Sequence, residues 1–268
     1  MKPYKKLLSL AMVFALLISA GIVFTGCGET ATEMFNKAQT NLSKAKDIKF
    51  KDGTITGKLD VKGQKTEMSA KVDFQAVKST TDDPRDLQMA LSGSFNVFGQ
   101  NNKFSMFLKD QTVYFDDGMS KEKQKLDMTK DDFKKIMDSA QGTKIDEFVK
   151  KEEKDGDKIK LTIDAKEYMK KAIKDVDTSK NSKAVSIKEL EKNLDSLGLK
   201  EMDVEATIKD GNFKSIKYTI PMNLDGSMLT PGATGNMKLD LTVEFKEISI
   251  DTGEKISFPN LKNFSAPM

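Results

Sequence analysis

Few residue types able to do chemistry occur in this chain. Histidine is absent from all 268 residues, and cysteine occurs once, at position 27. That removes histidine-based triads, imidazole metal sites and imidazole acid–base catalysis. A lone thiolate does not make a zinc site either. Carboxylates remain, in the pairs Asp82-Asp83, Asp116-Asp117, Asp131-Asp132 and Glu152-Glu153, with Asp155 and Asp157 on either side of Gly156. Paired carboxylates can divide general acid and general base roles, or hold Ca²⁺ through oxygen ligands. Here each pair falls in a turn or at a helix start, where acidic side chains serve the backbone as turn formers and as partners of helix N-terminal amides. The EF-hand spacing is missing around Asp155 and Asp157, and there is no phosphate-binding glycine loop or nucleophile elbow. The expectation is a protein that is not an enzyme and holds no metal or cofactor.

The chemistry of Cys27 is set by what precedes it. Lys2, Lys5 and Lys6 form a basic stretch, Leu7 to Phe24 is almost wholly apolar or small, and the junction reads Phe24-Thr25-Gly26-Cys27. This is the layout of an export leader: basic, then apolar, then small residues at a cleavage point. A cysteine directly after the small residue resembles the lipobox of bacterial lipoproteins, with Phe24 where leucine is usual. The resemblance implies a diacylglyceryl thioether on Cys27, palmitate-type acylation and removal of residues 1–26. The chain would then sit at the extracytoplasmic face of the cell membrane, and two acyl chains suffice for stable attachment. A retained membrane span is one alternative, because an apolar run of about 18 residues is near the lower limit for crossing. Plain secretion is the other, at the cost of an unpaired thiol.

Processing at Cys27 changes the charge balance. The full chain has 44 Lys+Arg against 41 Asp+Glu, and the only charges in residues 1–26 are three lysines. The mature chain is therefore balanced at 41 of each. Such a chain gives no reason to expect nucleic acid as a partner. A lysine-heavy composition without tryptophan points to an AT-rich, Gram-positive type of source. With no disulfide available, the fold must rest on its core, which is feasible for a chain of this length.

The positioning elements follow from hydrophobic period. Residues 27–31 read as a polar, lipidated tether and 32–268 as a single domain. A helix is predicted over Thr32–Ala45, with Met34, Phe35, Ala38, Leu42 and Ala45 on one face. Packing on a sheet explains that face; lying on the membrane is the alternative. Alternation then predicts strands through Ile55–Val61, Met68–Ala76, Leu87–Val97, Phe104–Leu108 and Val113–Phe115. Their turns fall at Gly63, Asp83-Pro84, Gly99 to Asn102 and Asp116 to Gly118. A helix follows from Thr129 to Gly142, then strands at Ile145–Val149 and Lys158–Ile163 and a helix at Ala165–Val176. A polar linker at Asp177–Lys183 leads to a capping-box helix from Ser186 that ends at Gly198. The chain closes with strands through Met202–Ile208, Ile216–Met222 and Met237–Phe245, with Ile256 and Phe258 in a short edge strand or tail. The Asp210-Gly211 pair makes the first of the closing turns.

This order of elements, in a chain with a lipoprotein leader, resembles the LolA-like superfamily, including its LppX/LprG-like lipid-binding lipoproteins. The echoes are the strand end Val113 to Gly118 and the closing Ile256-Ser257-Phe258-Pro259. The resemblance implies an α+β fold: a strongly curved, unclosed antiparallel β-sheet, a half-barrel, with helices covering the concave face. It also implies an apolar cavity for acyl chains between sheet and helices. The candidate lining residues are Met68, Val72, Phe74, Met89, Leu91, Phe95, Phe104 and Met106, because thioethers and aromatic rings adapt to irregular apolar ligands. The same residues also serve as ordinary core. Two functions therefore stay open. One is a tethered module for a lipid or other apolar molecule; the other is a protein-interaction or envelope-scaffold lipoprotein with a filled core. Unlike the soluble carriers of that superfamily, a chain tethered at Cys27 is not a free shuttle.

Overall fold

The computed structural model describes residues 29–61, 64–78, 83–97, 100–126, 129–131, 145–176, 194, 197–225 and 236–266. Helix α1 (Ala31–Lys44) starts one residue before its predicted position. Its start is fixed by a reciprocal cap: the Thr30 hydroxyl accepts the Glu33 amide at 3.1 Å, and the Glu33 carboxylate accepts the Thr30 amide at 2.8 Å. Among the described residues eleven strands follow, with a further long helix between the eighth and ninth. They are β1 (Asp47–Val61), β2 (Gln64–Val77), β3 (Gln88–Val97), β4 (Gln100–Lys109), β5 (Thr112–Asp116), β6 (Lys121–Lys125), β7 (Val149–Asp155) and β8 (Lys158–Asp164). After helix α2 (Ala165–Val176) come β9 (Glu201–Lys209), β10 (Asn212–Asp225) and β11 (Asn236–Ile250). All belong to one unclosed sheet, ordered β6-β5-β4-β3-β2-β1-β11-β10-β9-β8-β7. Each neighbouring pair is antiparallel. The first and last long strands meet in the middle, and two meanders run outward to β6 and β7.

Three local expectations change. The first meander has six strands, not five: β6, Lys-Glu-Lys-Gln-Lys, has no apolar alternation to reveal it and pairs with β5 through the backbone ladder and a Lys121–Asp116 ion pair at 3.3 Å. Gln100, Asn101 and Asn102, read as a turn, belong to β4 opposite Val97, Asn96 and Phe95. Ile145–Val149 is not a strand. Asp146–Phe148 forms a 3-10 turn, and the strand is Val149–Asp155, whose place is set by its hairpin through Gly156 (φ 59°). Ile256 and Phe258 lie in the tail, the second of the two placements expected for them. The helices expected at Thr129–Gly142 and from Ser186 fall mostly outside the described residues.

The half of the sheet from β8 to β10 is closed by α1 and α2. Leu161, Ile163, Met202, Val204, Ile208, Phe213 and Tyr218 are all buried under Phe35, Ala38, Leu42 and Tyr168. Phe35 meets Phe213 edge-on at 5.2 Å. Beyond Val149, which packs against the core, charged β7 contributes caps: the Glu152 carboxylate accepts the Thr32 amide and hydroxyl at 2.9 and 2.7 Å, and Lys154 donates to the Glu29 carbonyl. Burial pushes the Tyr168 and Tyr218 phenols well above the ordinary phenol pKa. The stability this represents is present below the unfolded-state pKa and is lost as pH rises. Both are expected to stay protonated beyond about pH 11 and to ionise with alkaline unfolding, as read by ultraviolet absorbance. Ionisation of either before the loss of circular dichroism would contradict their burial.

The C-terminal segment 251–265 is a strap over the other face of the sheet. It turns away from β11 at Asp251 (φ 52°) and Gly253 (φ 73°), where buried Asp47 receives the Thr252 amide, the Thr252 hydroxyl and the Gly253 amide at 2.9, 2.8 and 2.9 Å. Beyond the turn Phe258 packs on Phe107 of β4, Phe264 packs on Tyr114 of β5, and Ser265 exchanges backbone hydrogen bonds with β6. The strap thereby protects an edge strand that would otherwise offer free backbone groups. Burial pushes the Asp47 carboxyl up, but the hydrogen bonds from Thr252 and Gly253 outweigh it and hold the pKa below the usual carboxylate value. This stabilisation is present above the unfolded-state pKa and is lost as pH falls through the folded value. Asp47→Ala is expected to cost about 2–4 kcal/mol at neutral pH. The gap between wild type and variant should narrow below about pH 4, measured by urea unfolding. A gap independent of pH would show that the carboxylate charge is not what holds the turn.

Candidate functional site

The strand register brings the apolar residues of β2, β3 and β4 onto one face. Phe74, Leu91 and Met106 form one cross-strand row, and Val72, Gly93 and Phe104 the next. Met89 lies between Ala76 and Leu108, Phe95 lies opposite Ala70, and Met68 shares the β2 face with Val72 and Phe74. All eight candidate lining residues therefore share one surface. Val72 is buried in the closed core. The other seven are not: six are half-buried and Phe95 is 37% exposed. Gly93 makes room for this arrangement, since the Phe104 ring lies over its Cα and a Cβ there would meet the Lys71 carbonyl oxygen at 2.1 Å. The Phe95 and Phe104 rings lie 6.2 Å apart.

The face extends through the middle of the sheet. Ile55 and Leu59 of β1, Leu239 and Leu241 of β11 and Met222 of β10 continue it by direct pairing, and all five are half-buried. These residues show the same alternation as β2 and could have been named from it. The sheet thus has two unequal halves on this face. On this face Phe50, Val72, Val243, Phe245 and Ile248 join the buried core of β8–β10, while β3 and β4, with the far ends of β1, β10 and β11, keep apolar side chains half-buried.

The acidic pairs do other work. Asp116 accepts the Gly118 amide at 2.9 Å, and Asp117 accepts the Met119 and Ser120 amides at 2.9 and 2.7 Å. The Ser120 amide is the main reason the Asp117 carboxyl lies below its ordinary pKa. Asp83 forks onto the Arg85 guanidinium, which holds its pKa down to about 2. Among the described residues no group of three or more acidic, cysteine or histidine side chains could hold a metal. Asp82, Asp132 and Cys27 lie outside the described residues. Two clefts are bounded by described residues: one of about 210 Å³ beside Glu29, Lys37, Asp157 and Gly211, and one of about 340 Å³ around Lys49, Lys51, Lys214 and Lys246. Both are lined largely by charged side chains, and neither lies on the apolar face.

A sheet of this order, with one helix-closed half and one half-open apolar half, is an unclosed antiparallel α+β domain. The chain belongs to the family described as "Family of unknown function (DUF6612)", whose model matches residues 30–261. No curated protein matches. Among solved structures it is similar to the one titled "Crystal Structure of Rv2717c from M. tuberculosis", at 8% identity over 74% of this chain and 93% of that one, with a TM-score of 0.21. No helix among the described residues is long and apolar enough to cross a membrane.

Proposed function

We propose that this protein is a non-catalytic lipoprotein. It is anchored through a diacylglyceryl group on Cys27 at the extracytoplasmic face of the membrane. There it holds a lipid or other apolar molecule against the half-open face of the sheet. In this reading the sheet is a half-barrel of the LolA-like kind, helices cover its concave face, and the ligand lies between the two. The observation that carries the reading is the contrast between the two halves. A sheet that closes β8–β10 under α1 and α2 leaves Phe74, Met89, Leu91, Phe104 and Met106 half-buried in one continuous patch. Apolar patches of that kind on soluble domains mark binding surfaces. Methionine and phenylalanine suit an irregular hydrocarbon ligand. Anchoring rests on the leader sequence.

Titration with N-phenyl-1-naphthylamine tests the reading on the mature protein. The expected result is a saturable fluorescence rise at one site per chain, reversed by a long-chain fatty acid or diacylglycerol. A linear, non-saturating response, or one that lipid does not displace, would count against an apolar site and favour the scaffold reading.

A further inference from the structure

We propose a second site, on the opposite face of the sheet, that binds a phosphate-type oxyanion. Three neighbouring strands share a local pattern in the sequence: Phe50-Lys51-Asp52-Gly53 in β1, Phe245-Lys246-Glu247-Ile248 in β11 and Phe213-Lys214-Ser215-Ile216 in β10. In each, the phenylalanine is buried and two consecutive residues follow before the next inward position. The register shows the extra residue directly: β1 shifts against β2 between Phe50 and Gly53, and β10 shifts against β9 between Phe213 and Ser215. In β11 the pairs Phe50 with Ile248 and Gly53 with Phe245 give the same three-residue step. The two register shifts, in β1 and β10, therefore flank β11, which keeps step with β1 between them. A bulge bends its strand and re-aims side chains; here Lys51, Lys246 and Lys214 come together on the outer face.

These lysines line the groove of about 340 Å³, with Lys49, Glu247 and Glu254. Lys49 is ion-paired to Glu254, in the turn of the C-terminal strap, which walls the groove on one side. Lys214 and Lys246 have no ion-pair partner among the described residues, while Lys51 acts on Glu254 only through space. Once Lys49 and Glu254 neutralise each other, three ammonium groups stand with the carboxylates of Glu247 and of Asp52, the second outward residue of the β1 step. The lysines outnumber the acids, and three ammonium groups can together donate to the several oxygens of a phosphate-type oxyanion. The groove also lies at the end of the sheet where the chain enters. Lys214 is three residues beyond Gly211, and Gly211 borders the same small cleft as Glu29. Two sources share this chemistry: the phosphate of a membrane headgroup and a free phosphate or phosphomonoester. The site stands apart from the apolar face and does not depend on its having a ligand.

The test uses the mature protein, the variant K51Q/K214Q/K246Q, and the charge-matched variant K58Q/K65Q/K238Q at exposed positions away from the groove. Vesicles of phosphatidylcholine with and without phosphatidylglycerol form one arm, and inorganic phosphate followed by amide chemical shifts the other. Binding to anionic vesicles weakened about tenfold or more by the groove variant alone assigns the headgroup. Phosphate shifts confined to residues 49–51, 214–215 and 246–249 and abolished in the groove variant assign the free anion. Equal losses in both variants, or no response to either probe, would overturn the proposal.

Discussion

Valine in place of Gly53 is expected to cost about 3 kcal/mol or more, a large share of the roughly 5–15 kcal/mol that holds a domain of this kind. A Cβ at this position would stand 2.4 Å from the Val72 carbonyl oxygen and 2.6 Å from the Phe245 ring. Neither neighbour can yield cheaply. The carbonyl belongs to the ladder of β2, and Phe245 is buried against Phe50, with ring centroids 5.0 Å apart. The site also lies on β1, which joins the two meanders through β11 and β2. Gly57, four residues on, is the control. The nearest atoms to a Cβ there are the Leu239 Cδ1 at 3.4 Å and the Met68 Cε at 3.7 Å, both ends of flexible side chains. Gly57→Ala is therefore expected to change stability by less than about 1 kcal/mol, because the strand gains a residue with less backbone freedom to lose. Guanidinium unfolding of the two variants measures the contrast, and equal stabilities would contradict the packing described around Gly53.

The paired change Leu91→Gln and Met106→Gln is expected to weaken binding of an apolar probe by more than about tenfold while leaving the sheet folded. The two residues face each other across β3 and β4 in the row that contains Phe74, and both are half-buried. Replacing two half-buried apolar side chains removes roughly 1–3 kcal/mol of apolar transfer energy, which a domain of this size tolerates. The same loss falls entirely on any ligand lying against that row. Phe107→Ala provides the opposite pattern. Phe107 is buried on the other face of β4 beneath Phe258 of the strap. Its truncation should cost about 3 kcal/mol of stability and leave probe affinity unchanged. If F107A and the glutamine pair reduce affinity alike, the probe reports stability and not the apolar face.

The apolar face was legible because alternation and register agree. Met68, Val72 and Phe74 are spaced by even steps in β2, and Leu91, Phe104 and Met106 keep the same even spacing in β3 and β4, so residue period put them on one face once the strands pair in sequence order. The Asp210-Gly211 turn was equally clear, and both residues have the left-handed φ, 55° and 71°, that a tight hairpin asks of them. Strands β6 and β7 were not legible, because their side chains carry charge on both faces and their positions follow from neighbours. The strap left a trace that alternation discards: Phe107 and Tyr114 are apolar or aromatic in the wrong phase for the inner face, because a second layer covers the outer one. The bulges left another. Phe50 and Ile48 are out of step with Ile55 and Leu59, and that slip of one residue at Lys51-Asp52 marks where the chain adds a residue. Helix closure of β8–β10 depends on which strands α1 crosses, a long-range fact that no local pattern encodes.

The central claim is that the half-open face holds an apolar molecule. Native mass spectrometry of mature protein, purified from its own cells without organic solvent and compared with a delipidated sample, tests it most directly. The expected result is a bound species of lipid mass, in addition to the covalent anchor, that delipidation removes and that the Leu91→Gln, Met106→Gln variant lacks. Identical masses before and after delipidation, with the face found packed by the chain's own side chains, would contradict the claim.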